Sequence, residues 1–310
     1  MAMNLWRRLA FSGPLSWVLI MLVNVYVKVN KDSPVLVCMD EDMARKETVD
    51  PHYVWVGPKD RILRGYNNVN ITETGKLILK SFDKSMSGSY SCTFSYGIIK
   101  RNNNEEEKFK TYTFTVLAYQ VPDYTYRISV RYTAMPCEHL ANARFFDFLI
   151  ATVKDITGDL GCQLKNSFYR CHVVRDAEDH LLNELFISFE VNSFGHGWER
   201  LCNGTRPDCP DESNRRVQKA RHLIIQFFKA QPIALKEEFL NVPEITYIEH
   251  SVAITRLDSC RPGFGKNEVT HRDCSGCCVV CDPGKFNPDN SRHCEVCKDI
   301  KIPYYGATAC

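Results

Sequence analysis

From Val25 to Val116 apolar residues recur at every second position, as Val25, Val27 and Val29, Leu36 and Cys38, Tyr53 and Trp55, Leu77 and Leu79, Tyr90, Cys92 and Phe94, and Tyr112, Phe114 and Val116. A period of two lines one face of a half-buried strand. Turn formers separate the runs, at Gly57 and Pro58, at Asn67 and Asn68, and at Gly75. Short strands at this spacing predict a β-sandwich over residues 24–118. After VPDYTYRISVRYTA, which still alternates, the period lengthens. Phe145, Leu149, Val153, Ile156 and Leu160 share one stripe of a helix over Glu138–Leu160, which Phe146, Phe148 and Ile150 widen. Strands follow near 167–174 and 185–193. A second helix over Ser213–Ala230 carries Val217, Ala220, Ile224 and Phe228 on one face, with Ser213 as its cap. A last strand lies near 244–256. The order strand, helix, strand, strand, helix, strand predicts an α+β domain over 119–258, for which a ferredoxin-like split βαβ layout is the natural arrangement. Residues 259–310 hold little aliphatic material and predict a small disulfide-rich module.

Within the sandwich, SPVLVC ends on Cys38, YVWVG carries Trp55, and DKSMSGSYSC ends on Cys92 with Tyr90 two residues before it. In an immunoglobulin-like domain two such cysteines bridge the sheets, the tryptophan packs on the bridge and the tyrosine closes a corner. These residues therefore read as structural. The loop YGIIKRNNNEEEK, from Tyr96 to Lys108, joins the last two strands where variable domains place a recognition loop. Ile98 and Ile99 could touch a partner there, or the loop could be a solvated hairpin.

Fifteen cysteines change the picture, because seven of them crowd Cys274–Cys310 and the chain opens with Arg7 and Arg8 followed by an apolar run from Pro14 to Val23. That opening resembles a signal peptide over residues 1–23 and is short for a membrane span, though an uncleaved anchor or a buried segment are alternatives. With two sequons, at Asn70 and Asn203, it predicts a glycoprotein of the secretory pathway with no integral membrane anchor. The expected Cys38–Cys92 bridge closes a loop worth about 4 kcal/mol on chain entropy. Cys137, Cys162, Cys171, Cys202, Cys209 and Cys260 could form three further bridges, with Cys202 and Cys209 bracketing the second sequon. The odd total leaves one thiol free or bridged to another molecule. A formal charge of +2 gives no global field to recruit nucleic acid.

Candidate chemistry is sparse. Arg215, Arg216, Lys219 and His222 lie on or beside one face of the second helix and could meet sulfate or sialic acid groups, or form an ordinary solvated face. FGHGW places His196 in a turn with no acid, nucleophile or second ligand at a suggestive spacing, so no catalytic residue is assigned. Asp208, Asp211 and Glu212 lack the ligand spacing and glycine of a calcium loop. The CxxC pairs Cys274–Cys277, Cys278–Cys281 and Cys294–Cys297 would read as zinc ligands in a cytosolic protein, and after a secretory signal they read as disulfides. No cofactor or metal is expected.

CRPGFG, CDPGKFN and YYGATAC are similar to units of growth-factor-receptor and ephrin-receptor-like cysteine-rich modules, which serve as stalks or adhesive surfaces. SPVLVCMD, VDPHYVWVGP, NITETG, PDYTYRISVRYTA, ELFISFEVN, GWERLCNGT and LDSCRPGFGKNE, in that order from Asp32 onward, resemble the zona pellucida-binding protein family of sperm acrosomal proteins. The resemblance implies a non-catalytic glycoprotein of the acrosome lumen or matrix that takes part in acrosome formation and in sperm binding to egg-coat glycoproteins. The alternative is an acrosomal matrix protein that self-associates, through the unpaired cysteine, with copies of itself or other matrix proteins.

Overall fold

The computed structural model describes residues 23–46, 48–99, 105–175, 179–202, 209–238, 245–298 and 300–310, so the apolar leader and Asn203 lie outside the described residues. The first unit contains β1 (Val23–Lys28), β2 (Leu36–Val37), the one-turn helix α1 (Glu41–Ala44), β3 (Val49–Gly57), β4 (Arg61–Ile62), β5 (Val69–Ile71), β6 (Lys76–Leu79), β7 (Gly88–Ile99) and β8 (Glu105–Gln120). One sheet has the order β2-β6-β5, and the facing sheet runs β8-β7-β3-β4 with β1 added parallel to β8. The Cys38–Cys92 disulfide ties the two sheets, with Trp55, Leu77, Leu79, Phe82 and Phe94 buried around it. The Tyr90 hydroxyl donates to the Met86 carbonyl at 2.6 Å, closing the corner, and the Trp55 indole donates to the Gly75 carbonyl at 2.9 Å. Each aromatic thus keeps its polar end satisfied while its ring is buried.

The second unit follows the order read from the periodicity. It comprises β9 (Asp123–Thr133), α2 (Leu140–Gly158), β10 (Gln163–Arg175), β11 (Leu181–Asn192), the short α3 (Trp198–Cys202), α4 (Cys209–Glu238) and β12 (Ala253–Ser259). Its antiparallel sheet has the order β10-β11-β9-β12, the strand order of a split βαβ unit. Leu149 and Val153 of α2 and Val217, Ala220, Ile224 and Phe228 of α4 pack with Ile128, Val130, Leu185, Ile187 and Phe189 of the sheet. Two boundaries differ from the sequence reading. Helix α4 begins at Cys209, so Ser213 is a fully buried residue within the helix rather than its cap, and Asp211 and Glu212 occupy the first turn, where the helix dipole favours acids. The last strand begins at Ala253, and residue Tyr247 ahead of it makes only a single bridge to Tyr132.

The C-terminal residues are less independent than their composition suggests. They form β13 (Phe264–Gly265), β14 (Cys278–Val280), β15 (Lys285–Phe286) and β16 (Glu295–Val296). Disulfides Cys260–Cys278, Cys274–Cys277, Cys281–Cys294 and Cys297–Cys310 bridge every cysteine of the segment. Strand β14 also pairs with β8, Cys278 opposite Gln120 and Val279 opposite Tyr119, so the immunoglobulin-like sheet continues into the module. Phe264, Val279 and Val280 join the same core as Leu117 and Ala118. Burying each such side chain is worth roughly 1.5–3 kcal/mol. The CRPGFG and YYGATAC phrases meet because Gly263, at φ +83°, lies where a Cβ would stand 2.6 Å from the Gly306 carbonyl oxygen.

The middle unit and the C-terminal module meet at one junction. The Arg261 guanidinium donates to both carboxylate oxygens of Asp123, at 2.7 and 3.1 Å, with both residues buried. Around that pair, the Thr125 and Ser259 hydroxyls lie 2.9 Å apart, the Asn290 amide donates to Thr125 at 3.1 Å, and Lys165 pairs with Asp289.

Candidate functional site

The basic stretch of α4 divides into two faces. Arg215, Lys219 and His222 follow one another at helical spacing and are exposed. Arg215 is paired with Glu212 at 3.2 Å, and the His222 ring lies 3.1 Å from the Gln226 amide. Arg216 does not belong with them. It stands next to the buried stripe of Val217 and Ala220, and its guanidinium donates to the carbonyls of Leu160 at 3.0 Å and Ser193 at 3.2 Å. Burial lowers its pKa. A step of one residue turns a side chain by about 100° around a helix, which carries this arginine off the solvent face. Arg216 therefore closes the ends of α2 and β11, and the candidate anion patch is reduced to Arg215, Lys219 and His222.

Other sequence candidates resolve into structure. FGHGW leaves His196 exposed in its turn, while Phe194 is buried edge-on against Trp198, with centroids 5.0 Å apart. The middle unit holds Cys137–Cys171, and Cys260 pairs instead with Cys278 of the C-terminal module, correcting the expectation that it bridges within the middle unit. The side chains of Cys202 and Cys209 lie outside the described residues. Cys162 carries a free thiol, half-buried, which burial pushes up to about 11. Each CxxC thiol of the C-terminal module is consumed in a disulfide, and only Cys274–Cys277 closes within its own motif. Asn70 is exposed on β5, an edge strand of its sheet. Ile98 is half-buried opposite Glu106, and residues 100–104 of that hairpin, with the Ile99 side chain, lie outside the described residues.

Two cavities flank the continuous sheet. One, of about 520 Å³, lies in the C-terminal module and carries Lys266, His271, Lys285 and Arg292. Its cations are matched, Lys285 to Asp282 at 3.0 Å, Arg292 to Glu268 at 3.5 Å and Lys266 to Asp258 at 3.8 Å. His271 is buried there between Asp282 and the Tyr26 hydroxyl, 3.1 Å from its Nδ1, and burial lowers its pKa. The other, of about 560 Å³, is a cleft between the Pro58–Asp60 turn, the start of β7 and the segment Pro303–Thr308. No sequence signal marked it, since its walls come from opposite ends of the chain.

Two family descriptions match the chain: "Zona-pellucida-binding protein (Sp38) N-terminal Ig domain" over residues 22–120, and "Zona-pellucida-binding protein (Sp38) C-terminal EGF-like domain" over residues 260–310. The chain is 46% identical over 288 residues to zona pellucida-binding protein 2 of Gallus gallus, covering 93% of this chain and 82% of that one. The chain belongs to the zona pellucida-binding protein family. Zona pellucida-binding protein 2 of Rattus norvegicus is 46% identical over 290 residues, covering 93% of this chain and 88% of its own length. Zona pellucida-binding protein 1 of Gallus gallus is 35% identical over 288 residues, with 93% and 87% covered. These zona pellucida-binding proteins align through the middle unit as well as through the two ends. The C-terminal module is EGF-like by its family description, where the sequence phrases resembled growth-factor-receptor and ephrin-receptor modules.

Proposed function

We propose that this chain is a glycoprotein of the sperm acrosome that binds egg-coat glycoproteins by adhesion, without catalysis. The observation that carries this reading is the 46% identity, over 93% of the chain, to a relative named for zona pellucida binding. The disulfide framework supports passage through an oxidising compartment. In this reading residues 24–118, 119–258 and 259–310 are the three modules, with the last docked on the first. Asn70 and Asn203 carry glycans, and a glycan on Asn70 shields the free edge of β5 from strand pairing. The exposed Arg215, Lys219 and His222 supply a patch for sulfate or sialic acid, and many weak contacts are multiplied by display on one particle. Self-association of an acrosomal matrix protein through a free thiol is the weaker reading, because the Cys162 thiol is half-buried and its raised pKa keeps it protonated near neutral pH.

The test is a titration of the purified, disulfide-bonded monomer onto immobilised egg-coat glycoprotein, before and after enzymatic deglycosylation of the coat. Saturable binding supports adhesion, and its loss on deglycosylation locates recognition in sugar. Absence of binding by native monomer at micromolar concentration refutes the reading.

A further inference from the structure

The cleft between the sandwich and the C-terminal segment differs in kind from the other cavity of the sheet. Its walls carry two ammonium groups, Lys59 and Lys84, against the single carboxylate of Asp60, and among the described residues neither ammonium has a carboxylate within ion-pair distance. The cations of the other cavity are matched by acids. Hydroxyls of Ser89, Ser91 and Thr308 line the cleft, and each can donate and accept. The Tyr304 ring stands at its mouth 52% exposed, an aromatic face with no partner in the core. Deeper in, Tyr305 is packed against the sandwich core, and burial raises its pKa.

The walls are held in place. Gly88, at φ +154°, lies where a Cβ would stand 2.9 Å from Pro58, so the Pro58 turn rests directly on the start of β7. Beyond Pro58, both Lys59 and Asp60 adopt left-handed conformations, with φ of 64° and 56°, which non-glycine residues seldom occupy. On the opposite wall the Gly306 amide donates to the Cys281 carbonyl at 2.9 Å. The volume, about 560 Å³, is within the usual range of small-ligand sites.

We propose that this cleft binds an acidic saccharide, a sugar carrying a carboxylate or sulfate, with the apolar face of the ring on Tyr304, its hydroxyls on Ser89, Ser91 and Thr308, and its acid between Lys59 and Lys84. An aromatic face beside hydroxyls suits a ligand that is apolar on one side and hydroxylated at its rim. The unmatched ammonium groups add the charge selection, and lysine, a flexible point charge, does not require a planar fork in the ligand. The proposal rests on the adhesive reading above and names a subsite for it in the joint between two modules, which exists only when the EGF-like module is docked.

The test uses the full disulfide-bonded chain and saturation-transfer NMR with sialyllactose, sulfated lactose and lactose. The acidic sugars show saturation transfer and lactose shows little. Tyr304→Ala, and Lys59→Gln with Lys84→Gln, each weaken acidic-sugar binding about tenfold, the loss of one good contact. Arg144→Gln with Lys154→Gln, both exposed on α2, leaves it unchanged. Thermal unfolding equal to wild type confirms that the Tyr304 and lysine variants fold. Equal response to lactose, full retention of binding in the Tyr304 and lysine variants, or complete competition by an unglycosylated coat polypeptide overturns the proposal. If Tyr304→Ala and wild type bind egg-coat glycoprotein equally, the cleft assignment fails while adhesion stands. If neither binds it, adhesion itself fails.

Discussion

Replacing Arg261 with methionine removes one half of the pair that joins the middle unit to the C-terminal module and leaves the other stranded. Side-chain exposures of 5% and 1% mean that water cannot take the place of the guanidinium on Asp123. Two charge-assisted hydrogen bonds, at 2.7 and 3.1 Å, disappear, and the buried carboxylate keeps only the backbone amide of residue 261 and the charge of Arg216. Breaking a buried ion pair in this way costs about 3–5 kcal/mol, which lowers the melting temperature by on the order of 10 °C for a unit of this size. The sign with pH follows. Burial raises the Asp123 pKa and Arg261 opposes that rise, so in Arg261→Met the carboxyl titrates higher still. An acid with a raised folded pKa binds more protons folded than unfolded, so the deficit of the variant is largest near neutral pH and shrinks as the solution is acidified. Combining Arg261→Met with Asp123→Asn removes both charges and recovers most of the loss. Urea unfolding followed by tryptophan fluorescence under non-reducing conditions measures this, with Trp198 close by: it packs on Phe194, whose ring lies 5.8 Å from the Arg261 guanidinium. A single variant within about 1 kcal/mol of wild type, or a double variant as unstable as the sum of the two singles, would refute the argument.

Three further outcomes follow from the same geometry. With its thiol pushed up to about 11, Cys162 reacts with iodoacetamide slowly in the native protein at pH 8 and rapidly once the chain is unfolded, as read by mass spectrometry; equal rates would show the thiol to be freely exposed. Burial of His271 lowers its pKa, so the unfolded chain takes up a proton first, and the stability this site contributes is present above the ordinary histidine range and lost as pH falls through the lowered value; His271→Gln flattens that part of the stability profile, and an unchanged profile counts against the assignment. Ending the chain before Cys260 uncovers the edge of β8 opposite Cys278 and Val279 together with Leu117 and Ala118, so the truncated chain has a lower urea midpoint and self-associates in analytical ultracentrifugation; a stable monomer would mean that the EGF-like module adds nothing to the sandwich core.

Much of the sandwich was legible because its signals are local. The side chains of Cys38, Trp55, Tyr90 and Cys92 alternate across short strands, and the corner bond from Tyr90 to Met86 spans four residues. The middle unit was legible in its order of elements because the change from period two to period 3.6 is itself a local property. Helix α4 shows where that reading stops. Arg215 and Arg216 are equivalent as letters, and the stripe of Val217, Ala220 and Ile224 marks the buried face, yet the rim of that face is set by which carbonyls lie opposite it, here those of Leu160 and Ser193.

By itself the sequence determined the order and type of the main strands and helices of the first two units, the immunoglobulin-like signature and the dense cysteine framework, since each depends on spacings of a few residues along one chain. The partner of Cys260, the burial of Arg216, the docking of β14 on β8 and the cleft at Tyr304 were decided by tertiary structure alone. Each of those joins residues far apart in sequence, and a three-residue strand such as Cys278–Val280 acquires meaning only when the unpaired edge of β8 stands beside it. Contacts of that kind are selected by the free energy of the whole packed assembly, and no local spacing records them.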